Sequence, residues 1–154
     1  MRILVLSVGR PDRGPYGSLF EDYASRIRRF HIDFEARHAP EVEAGGRYTD
    51  DHVREREARG LTAALPPRAR VIALDPSGAP LTSEQLAARL EAWATPLAAF
   101  VVGGPLGLDR AWRGKAAFVL ALSAMTLPHD LARVVLAEQI FRALTILRGV
   151  PYHK

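Results

Sequence analysis

The sequence contains the stretch Leu122-Ser-Ala-Met-Thr-Leu-Pro-His-Asp-Leu-Ala-Arg133, in which an apolar run gives way to small and hydroxylic residues and then to a proline and a histidine. The apolar run begins at residue 116 and is typical of a buried strand, and the residues after Pro128 have the pattern of a helix. In open α/β sheets, ligands bind beyond the carboxyl ends of the strands, where loop backbone groups are free to hydrogen-bond them. The stretch therefore predicts a strand, a ligand-binding loop and a helix.

Apolar runs and helical patterns alternate along the rest of the chain. Strands are predicted at residues 1–9, 32–36, 70–75, 97–102 and 116–122, helices at residues 18–30, 50–65 and 130–148, and a further helix beginning at Thr82. The predicted helix starts include Ser18, Thr49 or Asp50, and a capping box from Thr82 to Gln85. Residues 76–78 predict a turn directly after the third strand. We therefore expect one α/β domain over residues 1–154, with a mostly parallel sheet and helices on both of its faces.

Composition and charge are those of an ordinary globular protein. Of 154 residues, 48% are apolar and 25% are charged, and the formal net charge is +4. This basic excess suits a polyanionic partner and also serves solubility. No apolar stretch is long enough to span a membrane or to form the core of a signal peptide, so we expect a cytoplasmic protein with no membrane contact. The chain has no cysteine, which excludes disulfides and thiolate metal sites, and we expect no metal.

A second glycine-rich segment, Gly103-Gly-Pro-Leu-Gly107, follows the fourth predicted strand. It lacks the lysine and the serine or threonine of a phosphate-binding P-loop, and its spacing is not that of the dinucleotide fingerprint. Glycine allows a backbone to approach a ligand closely, although a tight turn would require glycine as well. Both segments follow strands of the same predicted sheet, so they are expected to converge on one site.

Three motifs together resemble the ribosomal RNA large subunit methyltransferase H family. They are the octet from Leu122 to His129, the segment from Gly103 to Leu108, and the closing Pro151-Tyr-His, and the resemblance extends over the length of the chain. It implies a SPOUT-class fold with a trefoil knot and a homodimer. It also implies S-adenosylmethionine-dependent methylation of N3 of a pseudouridine in 23S ribosomal RNA. We expect the RNA to be methylated in the assembled ribosome, although the sequence leaves free rRNA open as the substrate.

The resemblance also implies which residues contact the cofactor. By their positions in the matching motifs they are Leu74, Gly103, Leu122, Ser123, Ala124, Met125, Thr126 and Leu127. Leu106 occupies a position that is often acidic in the family, so a contact made there by a carboxylate is not available to this chain. No metal is needed for this cofactor.

Four side chains are candidates for the chemistry: His129, Arg142, Tyr152 and His153. Methyl transfer to N3 needs an aligned nucleophile and a group that accepts its proton or stabilises the resulting anion. Each candidate also has a structural interpretation, namely helix capping for His129, an intrahelical pair with Glu138 for Arg142, and a disordered end for Tyr152 and His153. We favour Arg142 and His153 on the substrate side, with Tyr152 stacking on or hydrogen-bonding the base. The sequence leaves the identity of the base open.

The helix at residues 130–148 is apolar around more than one face, which favours a second copy of the chain as its cover. Two other functions fit parts of the pattern. A non-catalytic RNA-binding or ribosome-associated module explains the charge and predicts no S-adenosylmethionine binding. An enzyme acting on a small molecule predicts a closed apolar pocket and indifference to ribosomes.

Overall fold

The computed structural model describes residues 1–11, 13–43 and 45–154. Its elements, in chain order, are β1 (Arg2–Val8), α1 (Pro15–Arg28), β2 (Asp33–Ala39), α2 (Asp50–Ala64), β3 (Arg70–Pro80), α3 (Ser83–Trp93), β4 (Ala98–Val102), α4 (Arg110–Gly114), β5 (Phe118–Ala121) and α5 (His129–Leu147). Over these described residues the sheet has the order β2-β1-β4-β3-β5, and each neighbouring pair is parallel. The predicted parallel α/β sheet is confirmed, with β2 at one edge.

Side chains of β1 point alternately into two apolar layers. Ile3 and Val5 join a core built with α1, α3 and α5, whereas Leu4 and Leu6 join one built with α2 and α4. The indole nitrogen of Trp112 secures α4 in the second layer, since it donates to the Ala58 carbonyl at 3.0 Å. Helices therefore cover both faces of the sheet, as predicted, because every second residue of a strand buried on both sides faces a different layer.

The predicted helix starts are confirmed in α2 and α3 but not in α1. Thr49 accepts a hydrogen bond from the His52 amide, and Thr82 forms the reciprocal capping box with Gln85. Helix α1 begins at Pro15, where proline is favoured because the first helical N–H has no partner within the helix. Ser18 therefore lies inside the helix, and its hydroxyl donates back to the Gly14 carbonyl at 3.2 Å.

Strand β3 makes an excursion at the position of the predicted turn. Leu74 and Ala79 both pair with Leu120, so the four residues between them loop out before the strand resumes. A Cβ on Gly78 would lie 2.6 Å from the Val119 carbonyl oxygen. The excursion thus packs against the backbone of β5, which makes glycine necessary at this position.

Helix α5 is flanked by two helices of its own chain. Phe141 packs against Tyr23 of α1, with ring centroids 6.0 Å apart, and Gln139 accepts a hydrogen bond from Ser83 of α3 at 2.7 Å. The apolar surface of α5, from which we expected a second copy of the chain, is therefore partly covered by α1 and α3. A half-exposed stripe is left along the helix, formed by Leu131, Val135, Glu138, Gln139, Arg142 and Ile146. Within the described ranges, α5 included, no helix is long and apolar enough to span a membrane.

Candidate active site

A cleft of about 860 Å³ opens beyond the carboxyl ends of β4, β3 and β5, which are neighbours in the sheet. Its size is in the range of pockets that hold small molecules and cofactors. The residues that line it are Leu74, Asp75, Pro76, Val102, Gly103, Gly104, Pro105, Leu106, Gly107, Leu120, Leu122, Ser123, Met125, Thr126, Leu127, Pro128, His129 and Ala132. The structure therefore brings together the two segments that the sequence predicted to converge.

The glycine loop, residues 103–107, forms one wall of this cleft with its backbone. A Cβ on Gly103 would lie 2.7 Å from the carbonyl carbon of Gly107 and 2.8 Å from the amide nitrogen of Leu108. The Gly107 amide closes the loop by donating to the Gly104 carbonyl at 2.9 Å, and Gly107 has a φ of +80°. Glycine at 103 is needed because the loop folds back on itself, not because a side chain there would enter the cleft.

The predicted cofactor loop, residues 122–127, forms another part of the cleft wall. Ser123 fixes its shape, because its hydroxyl accepts a hydrogen bond from the Met125 amide at 2.9 Å. Seven of the eight predicted cofactor contacts line the cleft, namely Leu74, Gly103, Leu122, Ser123, Met125, Thr126 and Leu127. Ala124 is exposed and does not line it, and the side chain of Met125 is 75% exposed. The cofactor loop is thus shaped more by its backbone than by packed side chains.

The sequence did not predict a polar network at the rim of the cleft. Asp75 accepts hydrogen bonds from the Ser77 amide at 2.9 Å and from the Ser77 hydroxyl at 2.5 Å, and its other oxygen lies 3.0 Å from Nη1 of Arg113. Burial pushes the pKa of Asp75 upward, but the Ser77 hydrogen bonds and the Arg113 charge outweigh it, so the pKa is lowered. Asp75 is therefore an ionised carboxylate that holds the β3 excursion against α4.

His129 is the catalytic candidate that lines the cleft. The Nε2 atom of His129 lies 3.5 Å from one carboxylate oxygen of Asp130. The other carboxylate oxygen of Asp130 lies 3.2 Å from the guanidinium of Arg133. Arg133 is buried and donates to the carbonyls of Val8 and Gly9. The start of α5 is thereby fastened to the end of β1, which fixes the position of His129 at the mouth of the cleft.

Arg142 and Tyr152 form a separate cluster around Glu138 on α5. Arg142 Nε donates to Glu138 Oε1 at 3.0 Å, and the Tyr152 hydroxyl donates to the same oxygen at 3.1 Å. The guanidinium of Arg142 also lies over the Tyr152 ring, 4.7 Å from its centroid. The pKa of Tyr152 is raised to about 12, mainly by burial and further by hydrogen bonds with Tyr23 and Glu138. The hydroxyl of Tyr152 is consequently a hydrogen-bond donor and remains protonated at neutral pH.

His153 lies against the first turn of α3, with Nε2 at 2.7 Å from Glu84 Oε1. The pKa of Glu84 is lowered to about 2, first by its own backbone amide, then by the Thr82 hydroxyl and by His153. Arg142 is 13 residues from His129, which corresponds to about 20 Å along a helix. A single chain therefore separates His129, at the start of α5, from Arg142 and does not bring the candidates to one nucleophile.

Comparisons with known proteins agree over the whole chain. A family model described as "Predicted SPOUT methyltransferase" matches residues 1–153. The protein named ribosomal RNA large subunit methyltransferase H in Anaeromyxobacter sp. (strain Fw109-5) is 47% identical, with 100% of both chains covered. Its namesake in Gemmatimonas aurantiaca is 42% identical with the same coverage, and that of Burkholderia multivorans is 40% identical, with 100% of this chain and 99% of the relative covered.

A solved structure shares the fold at low sequence identity. It is a probable methylase family protein from Haemophilus influenzae Rd KW20, with a TM-score of 0.54 and 11% identity, and the match covers 99% of this chain and 70% of that one. The family match and this likeness support the knotted α/β topology, and the family match favours a methyltransferase over a non-catalytic RNA-binding module. The chain belongs to the SPOUT methyltransferases and, within them, to the ribosomal RNA large subunit methyltransferase H family.

Proposed function

We propose that this protein transfers a methyl group from S-adenosylmethionine to N3 of a pseudouridine in large-subunit ribosomal RNA, in the cytoplasm and with the assembled ribosome as substrate. The observation that supports this most directly is the cleft, where three neighbouring strand ends bring seven of the eight expected cofactor contacts together. The names of the full-length relatives give the substrate class.

The cleft residues fit an adenosine-containing cofactor with a sulfonium centre. Leu74, Leu120 and Leu122 provide apolar surface for a flat ring, and the backbone of the glycine loop can approach closely. Within the described cleft lining, Asp75 and His129 are the titratable side chains, and Asp75 is held ionised. The lining contains no lysine or arginine, and its one carboxylate is paired with Arg113, so no cationic side chain of the lining opposes a positively charged sulfonium. Bound there, the cofactor would supply a methyl group activated by its positive sulfur.

The chain's own residues would then orient the base and manage the N3 proton. His129 lies at the mouth of the cleft, where an imidazole can accept a proton from an incoming nucleophile. Arg142 is a fixed cation that can stabilise the negative charge developing on the base, and Tyr152 offers an aromatic face and a protonated hydroxyl. The proton acceptor is left open between His129 and His153.

A homodimer accounts for the separation of these groups. The half-exposed stripe on α5 contains Leu131, Val135 and Ile146 together with Arg142 and Glu138. A second copy packed antiparallel on this stripe would bring one protomer's Arg142 and residues 151–154 toward the partner's cleft, because the cleft lies at the start of α5 and Arg142 lies about 20 Å further along the helix. The proposed active site is therefore shared between subunits.

The test is a methylation assay with S-adenosylmethionine carrying a labelled methyl group. The substrates are assembled ribosomes lacking the modification, free large-subunit rRNA, and ribosomes with uridine in place of the target pseudouridine. We expect label only where pseudouridine is present, located at N3 by nuclease digestion and mass spectrometry, and more on ribosomes than on free rRNA. Cofactor binding without transfer to any RNA would contradict the proposal and favour a small-molecule substrate.

A further inference from the structure

Glu57, on α2, is a buried carboxylate outside the site described so far. It is only 3% exposed. Its Oε1 accepts a hydrogen bond from the Val42 amide at 3.1 Å, and Oε2 is buried without a hydrogen-bond partner in the described part of the chain. Such an oxygen loses its hydration on folding and gains nothing in return, which destabilises the protein. Stability alone therefore does not explain a carboxyl group at this position.

The Glu57 carboxyl lies directly behind the glycine loop. A Cβ on Gly104 would be 2.9 Å from Oε2 of Glu57, 3.1 Å from Oε1, and 3.1 Å from Cγ1 of Val8. Gly104 lines the cleft, whereas Glu57 does not. The carboxyl thus contacts the cleft wall from its far side, and it contacts the segment at Val42 at the same time.

We propose that Glu57 is a positioning residue that sets the glycine loop for cofactor binding by linking it to the segment around Val42. The inference rests on the proposed use of the cleft for S-adenosylmethionine. Its physical basis is that Gly104 and the Glu57 carboxyl occupy complementary space, so a displacement of either one moves the other. Because all five residues of the loop line the cleft, a small displacement of the loop changes the contacts that it can make with a ligand.

The protonation state of Glu57 is part of this arrangement. Burial raises its pKa, the Val42 hydrogen bond lowers it, and the negative charge of Glu41 raises it again, with a net increase. The charged group facing Glu57 from the neighbouring segment is Glu41, which itself lies close to the guanidinium of Arg133. The raised pKa makes the neutral carboxyl easier to form than in an exposed glutamate, and ionisation places a negative charge beside Gly104 with no cation in contact among the described residues.

The experiment compares Glu57→Gln, Glu57→Leu and the matched control Glu55→Gln, an exposed glutamate of the same helix. Calorimetric titration with S-adenosylmethionine and thermal unfolding are measured for each. Leucine removes the acceptor of the Val42 hydrogen bond but packs well, so we expect unfolding at or above the wild-type temperature with cofactor affinity weakened roughly tenfold or more. Glutamine mimics the neutral acid and should bind nearly as wild type does. Wild-type affinity should fall as the pH rises through the raised pKa of Glu57, whereas Glu57→Gln should lack this component.

A double-mutant cycle between Glu57→Ala and Gly104→Ala tests the contact itself. Gly104→Ala should weaken binding strongly in the wild-type background and much less once the carboxyl is gone. Wild-type affinity in Glu57→Leu, an additive cycle, or a pH profile of Glu57→Gln that superimposes on the wild type would each overturn the inference. If Glu57→Leu fails to fold, the pH profiles of cofactor affinity for the wild type and Glu57→Gln test the inference instead. A wild-type protein that binds no S-adenosylmethionine would instead contradict the proposed function.

Discussion

The hydroxyl of Tyr152 lies 3.1 Å from Oε1 of Glu138, and this hydrogen bond docks residues 151–154 on helix α5. The Tyr152 ring also meets Phe141 edge to face, with centroids 4.8 Å apart. The sequence favoured a substrate-side role for Tyr152 and His153, with a disordered end as the structural alternative. The contacts indicate that Tyr152 also contributes to stability, so its stability contribution and its proposed role in methylation need separate variants.

Tyr152→Phe removes the hydroxyl and keeps the ring, and it should lower the free energy of unfolding by about 1 kcal/mol. Tyr152→Ala also removes the ring contacts with Phe141 and Arg142 and should cost about 2 kcal/mol. Urea unfolding measures the free-energy change of both variants. Tyr16→Phe is the control, because Tyr16 is 40% exposed. Equal stability of Tyr152→Ala and the wild type would show that the docked segment is not held in solution.

The contact between His153 and Glu84 predicts a pH dependence. The folded-state pKa of Glu84, about 2, is below its ordinary value, so the associated stabilisation is fully present above about pH 4.5. It is lost as the pH falls from there toward 2. His153→Ala should raise the pKa of Glu84 only part of the way toward its ordinary value, because the hydrogen bonds from the backbone amide and the Thr82 hydroxyl remain. NMR titration of the Glu84 carboxyl measures this, with Lys154→Ala as the neighbouring control. An unchanged titration in His153→Ala would mean that the pair does not form.

Replacing Gly103 even with alanine, which has the smallest side chain, should impair cofactor binding. A Cβ there meets the backbone of Gly107 and Leu108, so Gly103→Ala must displace the glycine loop, and we expect S-adenosylmethionine affinity to fall by roughly tenfold or more. Gly114→Ala is the matched control, since its added Cβ meets no atom within 4 Å. Retained affinity in Gly103→Ala would show that the loop can yield or that the cofactor binds elsewhere.

The Asp75–Arg113 pair should support cofactor binding through the β3 excursion. Arg113→Ala leaves Asp75 without its cation and loosens the excursion beside Leu74, so we expect affinity for S-adenosylmethionine to fall by roughly tenfold. Arg110→Ala, which removes an exposed arginine of the same short helix, is the control. Calorimetry of both variants makes the comparison, and equal affinities would assign the ion pair a purely structural role.

What the sequence predicted correctly is mostly local in origin. Strand burial, the caps at Thr49 and Thr82 and the apolar faces of the helices depend on neighbours within a few residues, and periodicity and capping residues report these directly. The loop at residues 122–127 was predicted at a ligand site because its residue types follow a buried strand and match a family motif, and it does line the cleft, whereas its contact with the cofactor stays a prediction. The five-residue helix α4 is too short to show a period, and Pro15 began α1 one turn before the expected cap at Ser18.

The features that were missed depend on contacts between distant parts of the chain. Arg113 and Asp75 form an ion pair although 38 residues separate them in the sequence. Glu57 on α2 packs against Gly104 in the glycine loop. The sequence led us to expect a second copy of the chain on the apolar faces of α5, and it did not show that α1 and α3 pack there. A helical pattern shows that a face is apolar without showing what packs on it. Here α1 and α3 supply part of that cover, and the stripe on α5 stays half-exposed in the single chain.

A shared active site predicts complementation between two inactive variants. Gly103→Val should destroy the cleft of its own protomer, and Arg142→Ala should remove the cation that the same protomer offers to its partner. If the site is shared, a mixed dimer has one intact site, made from the cleft of the Arg142→Ala chain and the Arg142 of the Gly103→Val chain. Equal mixing makes about half of the dimers mixed, each with one of two sites working, so about a quarter of wild-type methylation should return.

The experiment begins with each variant alone, both nearly inactive on ribosomes and both dimeric by light scattering. The chains are then unfolded together and refolded so that the subunits exchange, with Arg148→Ala, at an exposed arginine just past α5, as the control that stays active throughout. If cleft and arginine act within one chain, each protomer of a mixed dimer carries one lesion and no activity returns. A monomer at micromolar concentration would contradict the shared site at once. Recovery near a quarter, absent when the variants are mixed without unfolding, would establish that one subunit's Arg142 serves the other's cleft.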